Sequence, residues 1–162
     1  MYTWVVFLHV LGVFGFLLAH GVSVAVAFAL RRERNPEKIS ALLSLSVNSI
    51  GFLNSSILIL LLTGIVGGFM GQWWGKGWIW LSLGLLIAIS GYMGFSVTGY
   101  YHQVRKAIGV EYKVKNKPFP PVEPVSADEL DALLNESHPV MLAIIGLGGL
   151  AFITWLMLFK PF

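Results

Sequence analysis

The side chains best suited to chemistry are four histidines, His9, His20, His102 and His138, the first two set in almost wholly apolar surroundings. His9 and His20 stand eleven residues apart. On a helix, eleven steps of 100° return to within ~20° of the starting direction while rising ~16.5 Å, so the two imidazoles share one face at two depths. Stacked neutral imidazoles suit axial ligation of haem iron, and a thioether is the other common partner. Counting depth along the apolar segments puts Met93 level with His20, which makes His20 and Met93 a candidate mixed ligand pair and His9 a candidate in its own right. His102 and His138 fall together at a segment boundary and are the weaker metal candidates. The competing assignment for His20 is a hydrogen bond to Asn54 or Ser55 across a helix interface, with Met93 filling space. For His9 the level neighbours are Thr63, Ser82 and Thr154. Two bis-histidine haems would need four deep histidines, and this chain has two.

The elements that must position these groups are membrane helices. Residues 1–30, 39–75, 77–104 and 139–159 contain no Asp, Glu, Lys or Arg. At 1.5 Å per residue about 20 apolar residues cross the ~30 Å hydrocarbon core, so each stretch predicts a spanning helix. With 162 residues, 56% hydrophobic, and a mean hydropathy of +0.76, one transmembrane domain accounts for nearly the whole chain. The expected fold is an all-α four-helix bundle with helices at about 2–30, 40–70, 77–103 and 139–159 and a loop over 104–138. Residues 1–30 lack a basic leading region and exceed the length of a signal-peptide apolar core, so helix 1 is expected to be mature structure.

Charge placement predicts orientation. Arg31, Arg32, Arg34 and Lys38 lie in one loop and Arg105, Lys106, Lys113, Lys115 and Lys117 in another, against Lys76 and Lys160 on the other side. Loops rich in Lys and Arg stay in the cytoplasm, which predicts both termini outside a bacterial inner membrane. Trp4, Trp73, Trp74, Trp78, Trp80 and Trp155 then gather at the outer interface as an aromatic belt. In the long loop, residues 117–124 (KPFPPVEP) read as extended and polyproline-like. Ser126 then caps a short amphipathic helix with Leu130, Leu133 and Leu134 on one stripe, lying on the membrane surface or the cytoplasmic end of the bundle. The net charge of +3 is explained by these topology signals and implies no nucleic-acid partner.

Small residues predict close helix contacts: Ala19, Ser23 and Ala27 in helix 1, Gly64 and Gly68 in helix 2, Gly84 and Ala88 in helix 3. Gly146, Gly148 and Gly149 add to these in helix 4 without a clean four-residue period. Such faces serve contacts within one bundle, with other membrane subunits or in a homo-oligomer. No Gly-rich phosphate loop follows a strand, no Asp or Glu lies in a span, and the chain has no cysteine. Nucleotide binding, carboxylate-pair catalysis, disulfides and thiolate metal sites are therefore excluded.

Residues 2–13 (YTWVVFLHVLGV), the run GWIWLSL at 77–83, and GLGG at 146–149 through Trp155-Leu156-Met157 to Lys160-Pro161 resemble a family of integral membrane proteins. That family, domain of unknown function 2269, belongs to a broader group of small bacterial membrane proteins. The group includes copper-resistance membrane proteins and the haem-carrying membrane protoporphyrinogen oxidases. The resemblance covers most of the membrane part and implies that His9 binds haem or metal. The chain departs from the oxidase pattern in helix 3: Trp78-Ile79-Trp80 has no lysine, and Gly91-Tyr92-Met93 stands where that group has Gly-Tyr-His. The resemblance therefore does not carry protoporphyrinogen oxidation to this chain, although Met93 keeps a ligand-capable atom in place. Three functions follow as expectations: a b-type haem protein in electron transfer, a copper-handling protein using His and Met, and a non-catalytic accessory subunit of a respiratory or photosynthetic complex. Enzymatic activity is left open.

Overall fold

A computed structural model describes residues 1–114 and 117–162; Lys115, counted above among the basic loop residues, lies outside them. Four helices are long and apolar enough to cross a bilayer. They define a multi-pass, all-α membrane protein. Helix α1 runs Tyr2–Arg32, α2 Pro36–Met70 and α3 Gly77–Ala107. A small antiparallel hairpin follows, β1 Tyr112–Val114 and β2 Lys117–Phe119. Next comes α4, Ala127–Asn135. The last span is made of α5 Pro139–Ala143, a π-helical turn Ile144–Gly148, and α6 Gly149–Phe159.

The helices run further into the loops than the charge-free stretches implied, because local signals stop them. Asn35 accepts the Glu37 and Lys38 backbone N–H groups at 2.9 and 3.2 Å and Pro36 occupies the first turn, so α2 begins at once after α1. The end of α3 is a Schellman turn: Gly109 N–H reaches the Lys106 carbonyl and Val110 N–H the Arg105 carbonyl, both at 3.1 Å. Gly109 has φ +73°, and a Cβ there would meet Pro124 Cγ at 2.8 Å, so glycine is required. The KPFPPVEP segment is extended as expected, but its first three residues pair with β1, Lys113 opposite Pro118. Proline is tolerated because a two-stranded ribbon leaves an edge where no N–H is needed. The α4 helix carries a full capping box, Ser126 with Glu129, and buries Leu130 and Leu134.

The interior is stacked in three layers. At the basic end α4 lays Leu130 and Leu134 against Val26, Leu30, Ile39, Leu43 and Val104. Phe16, Leu60 and Leu150 fill the middle, and Trp78, Ile79 and Leu156 close the aromatic end. Both termini lie there: Tyr2 meets Trp73 edge-on at 6.2 Å, Lys160 Nζ stands 4.1 Å over the Trp73 ring, and the Phe162 carbonyl accepts Trp78 N–H at 3.4 Å.

Helix α1 packs along α2 through positions that lack side chains. A Cβ on Gly12 would lie 3.0 Å from Leu60 Cγ, and one on Gly15 would strike the Ser56 hydroxyl at 2.5 Å. Ala19 and Ala27 are buried as expected, and Gly68 lies under Trp74 and Ile79. Gly84, by contrast, faces open space. The Gly84/Ala88 face is therefore not an internal contact, since α3 meets the last span through Ile89 near Gly149 instead. Replacing Gly15 by Leu should cost about 1–3 kcal/mol through overpacking, whereas Gly84→Leu should stay within about 0.5 kcal/mol of wild type. Thermal melts in detergent measure both, and equal melting temperatures would contradict this packing.

Candidate functional site

His9 faces α2. Its Nδ1 lies 2.9 Å from Thr63 Oγ1, and the Thr63 hydroxyl is itself 2.6 Å from the Ile59 carbonyl. One hydroxyl has one proton, and the carbonyl takes it, so toward His9 the oxygen accepts and Nδ1–H donates. In that arrangement the ring proton is on Nδ1 and the Nε2 lone pair is free. The ring is half-buried and stands beside Gly64, where a Cβ would come 3.4 Å from Cε1.

His20 faces the last span instead. It is 6% exposed, stacked on Phe16 with ring centroids 6.3 Å apart, and its Nε2 is buried with no hydrogen-bond partner among the described residues. The ring points at Gly146 in the middle of the π-helical turn: a Cβ there would fall on Nε2 itself, and 2.9 Å from the Met93 methyl carbon. The π turn and the ring share a cause. Inserting a bulky side chain against a helix breaks its regular ladder, and a single π turn absorbs the extra residue.

The structure thus brings His20 and Met93 together, on one glycine. A macrocycle ligated on both faces needs a wide slot between its ligands, and the Gly146 backbone stands in that place. As packed, the pair does not fit a haem between them. Asn54 and Ser55 do not serve His20, since both side chains are exposed and the Ser55 hydroxyl donates to the Gly51 carbonyl at 3.1 Å. His9 and His20 do not line one slot either, despite their common direction, because α2 covers the first and the last span covers the second.

His102 and His138 have separate neighbours. His102 Nδ1 accepts the Lys113 backbone N–H at 3.3 Å, pinning β1 to α3. His138 is the exposed residue preceding α5, in a shallow groove with Arg31, Val140, Met141 and Ile144. Among the described residues no group of three or more His, Asp or Glu could hold a metal. Sequence reading missed Thr63 as the group that sets the His9 tautomer and Gly146 as the floor under His20. Counting depth places Thr63 level with His9, and the broken glycine period is the sequence signal for Gly146. The site is that of an all-α, multi-pass membrane protein with two isolated intramembrane imidazoles. Comparison with protein-family models, curated proteins and solved structures gives no match.

A test of the His20–Gly146 contact follows. Gly146→Ala should destabilise the protein by about 1–3 kcal/mol, and most of that loss should vanish in the His20→Ala background, where the methyl has room. Additive losses in a detergent-melt double-mutant cycle would mean that the two positions do not touch.

Proposed function

We propose that this chain is a b-type haem-binding electron-transfer protein of a bacterial inner membrane, with His9 as the iron ligand. The observation that carries this reading is the His9–Thr63–Ile59 chain, since metal-ligating histidines characteristically donate the other ring N–H to an oriented acceptor. The resemblance of residues 2–13 to membrane families that include haem carriers supports it. A haem held there supplies one-electron chemistry; the chain supplies the ligand, its orientation through Thr63, and an acid-free surround. Absorption spectra of the purified protein, oxidised and dithionite-reduced, test the reading. His9→Ala should abolish haem content, Thr63→Val should weaken retention by about 10- to 100-fold, and His20→Ala should leave haem content intact. Haem content that survives His9→Ala, or a colourless wild-type preparation, would overturn the assignment.

Two further readings rest on their own observations. The orphan His20 Nε2 beside Met93 suits a single Cu(I) ion, which takes neutral nitrogen and thioether donors. Asn48 and Asn54 are exposed on α2 without a hydrogen-bond partner among the described residues, and a carboxamide in hydrocarbon needs one. They favour a protein that works beside other membrane subunits or a second copy of itself.

The orientation belongs to the same proposal. Nine Lys and Arg against two support cytoplasmic basic loops and outward termini. A membrane-impermeant thiol reagent should label a cysteine at Gly75 in intact cells and one at Glu123 after lysis alone. The opposite pattern would invert the topology.

A further inference from the structure

Where α1 ends and α2 begins, a groove runs between the two helices. Its floor is apolar, formed by Ala29, Ala41, Leu42 and Leu45, and Leu45 is 52% exposed. Its rim carries Arg32 and Lys38. The Arg32 guanidinium makes no hydrogen bond or ion pair among the described residues, and Lys38 Nζ reaches its nearest carboxylate, Glu33, at 3.9 Å. Glu33 also borders the groove, but its Oε1 already accepts the backbone N–H groups of Arg34 and Asn35, each at 2.9 Å. Those two bonds hold its carboxyl below the usual carboxylate range, ionised and tied to the turn. The rim therefore presents two cations against one committed carboxylate.

Cations directly above an exposed apolar floor match one ligand chemistry, an anionic head on a hydrocarbon tail. We propose that this groove binds an anionic phospholipid, its phosphate between Arg32 and Lys38 and one acyl chain along Leu42 and Leu45. A zwitterionic lipid would bring its own ammonium to the same cations, and a free anion would leave the floor uncovered. The other flank of α1 differs: the Arg31 guanidinium there donates to the Ser137 carbonyl at 3.3 Å.

The test is thermal stability in a neutral detergent with added phosphatidylglycerol, phosphatidylcholine or inorganic phosphate, together with native mass spectrometry of lipid retained through purification. Phosphatidylglycerol should raise the melting temperature of wild type by about 4–8 °C. Phosphatidylcholine and phosphate should leave it unchanged, and the Arg32→Gln/Lys38→Gln double variant should lose most of the rise. Wild type should retain anionic lipid in preference to zwitterionic lipid, a readout that stands if the double variant fails to fold. Equal shifts from both lipids, the same shift from phosphate alone, a full response in the double variant, or unselective retention would each overturn the proposal.

Discussion

The bundle depends on how closely α1 can approach its neighbours where side chains are missing. Between helices in lipid no hydrophobic effect drives association, so packing depth decides contact. On α1, Gly12 and Gly15 let α2 bring Ser56 and Leu60 against the backbone, and Ala19 and Ala27 are buried further toward the basic end. In the last span the relation is reversed: the glycine is on the partner, and α1 supplies the bulk, the His20 ring seated on Gly146. The π-helical turn is the local adjustment that lets this ring sit where a regular helix would exclude it.

The same bilayer sorts the polar groups into those the fold explains and those it does not. Several hydroxyls satisfy themselves along their own helices: Ser23 donates to the Ala19 carbonyl, Ser44 to Ser40, Ser56 to Phe52 and Thr154 to Leu150, whereas the Ser82 and Ser90 hydroxyls are buried without a partner among the described residues. A hydroxyl can do this because it is short. The imidazoles and the α2 carboxamides make no such bond here, so each needs a partner from another element. His9 finds Thr63 with one nitrogen; His20 Nε2, Asn48 and Asn54 find none among the described residues.

Much of the architecture was legible in the sequence because membrane spans are written in composition. The four spans, the Ser126 cap and the Leu130/Leu133/Leu134 stripe follow from charge-free length and local capping chemistry, and the structure adds Glu129 to complete a capping box. The β-hairpin was not legible, since Tyr112–Val114 and Lys117–Phe119 are three residues each and the second contains a proline. The site was legible in part. Depth counting put Thr63 beside His9 and Met93 beside His20, and both neighbours are in place. It could not supply Gly146, whose irregular spacing from Gly148 and Gly149 was read as a weak packing signal. That irregularity is what a π turn looks like in sequence, because one extra residue per turn breaks the four-residue period.

The two deep histidines show where helical periodicity stops being informative. Their spacing fixes a common direction on α1 to within ~20°, yet direction on one helix does not name the helix it meets. Over ~16.5 Å of rise the single face is covered first by α2 at His9 and then by the last span at His20. Each imidazole thus acquires a different chemistry from its cover. Beneath α2, a threonine whose own proton is committed orients His9 and frees its outer nitrogen. Beneath the π turn, a glycine with no side chain leaves His20 enclosed and unpaired beside a thioether. One helix face therefore carries two imidazoles in different settings, the first half-buried against a threonine and the second enclosed against a glycine.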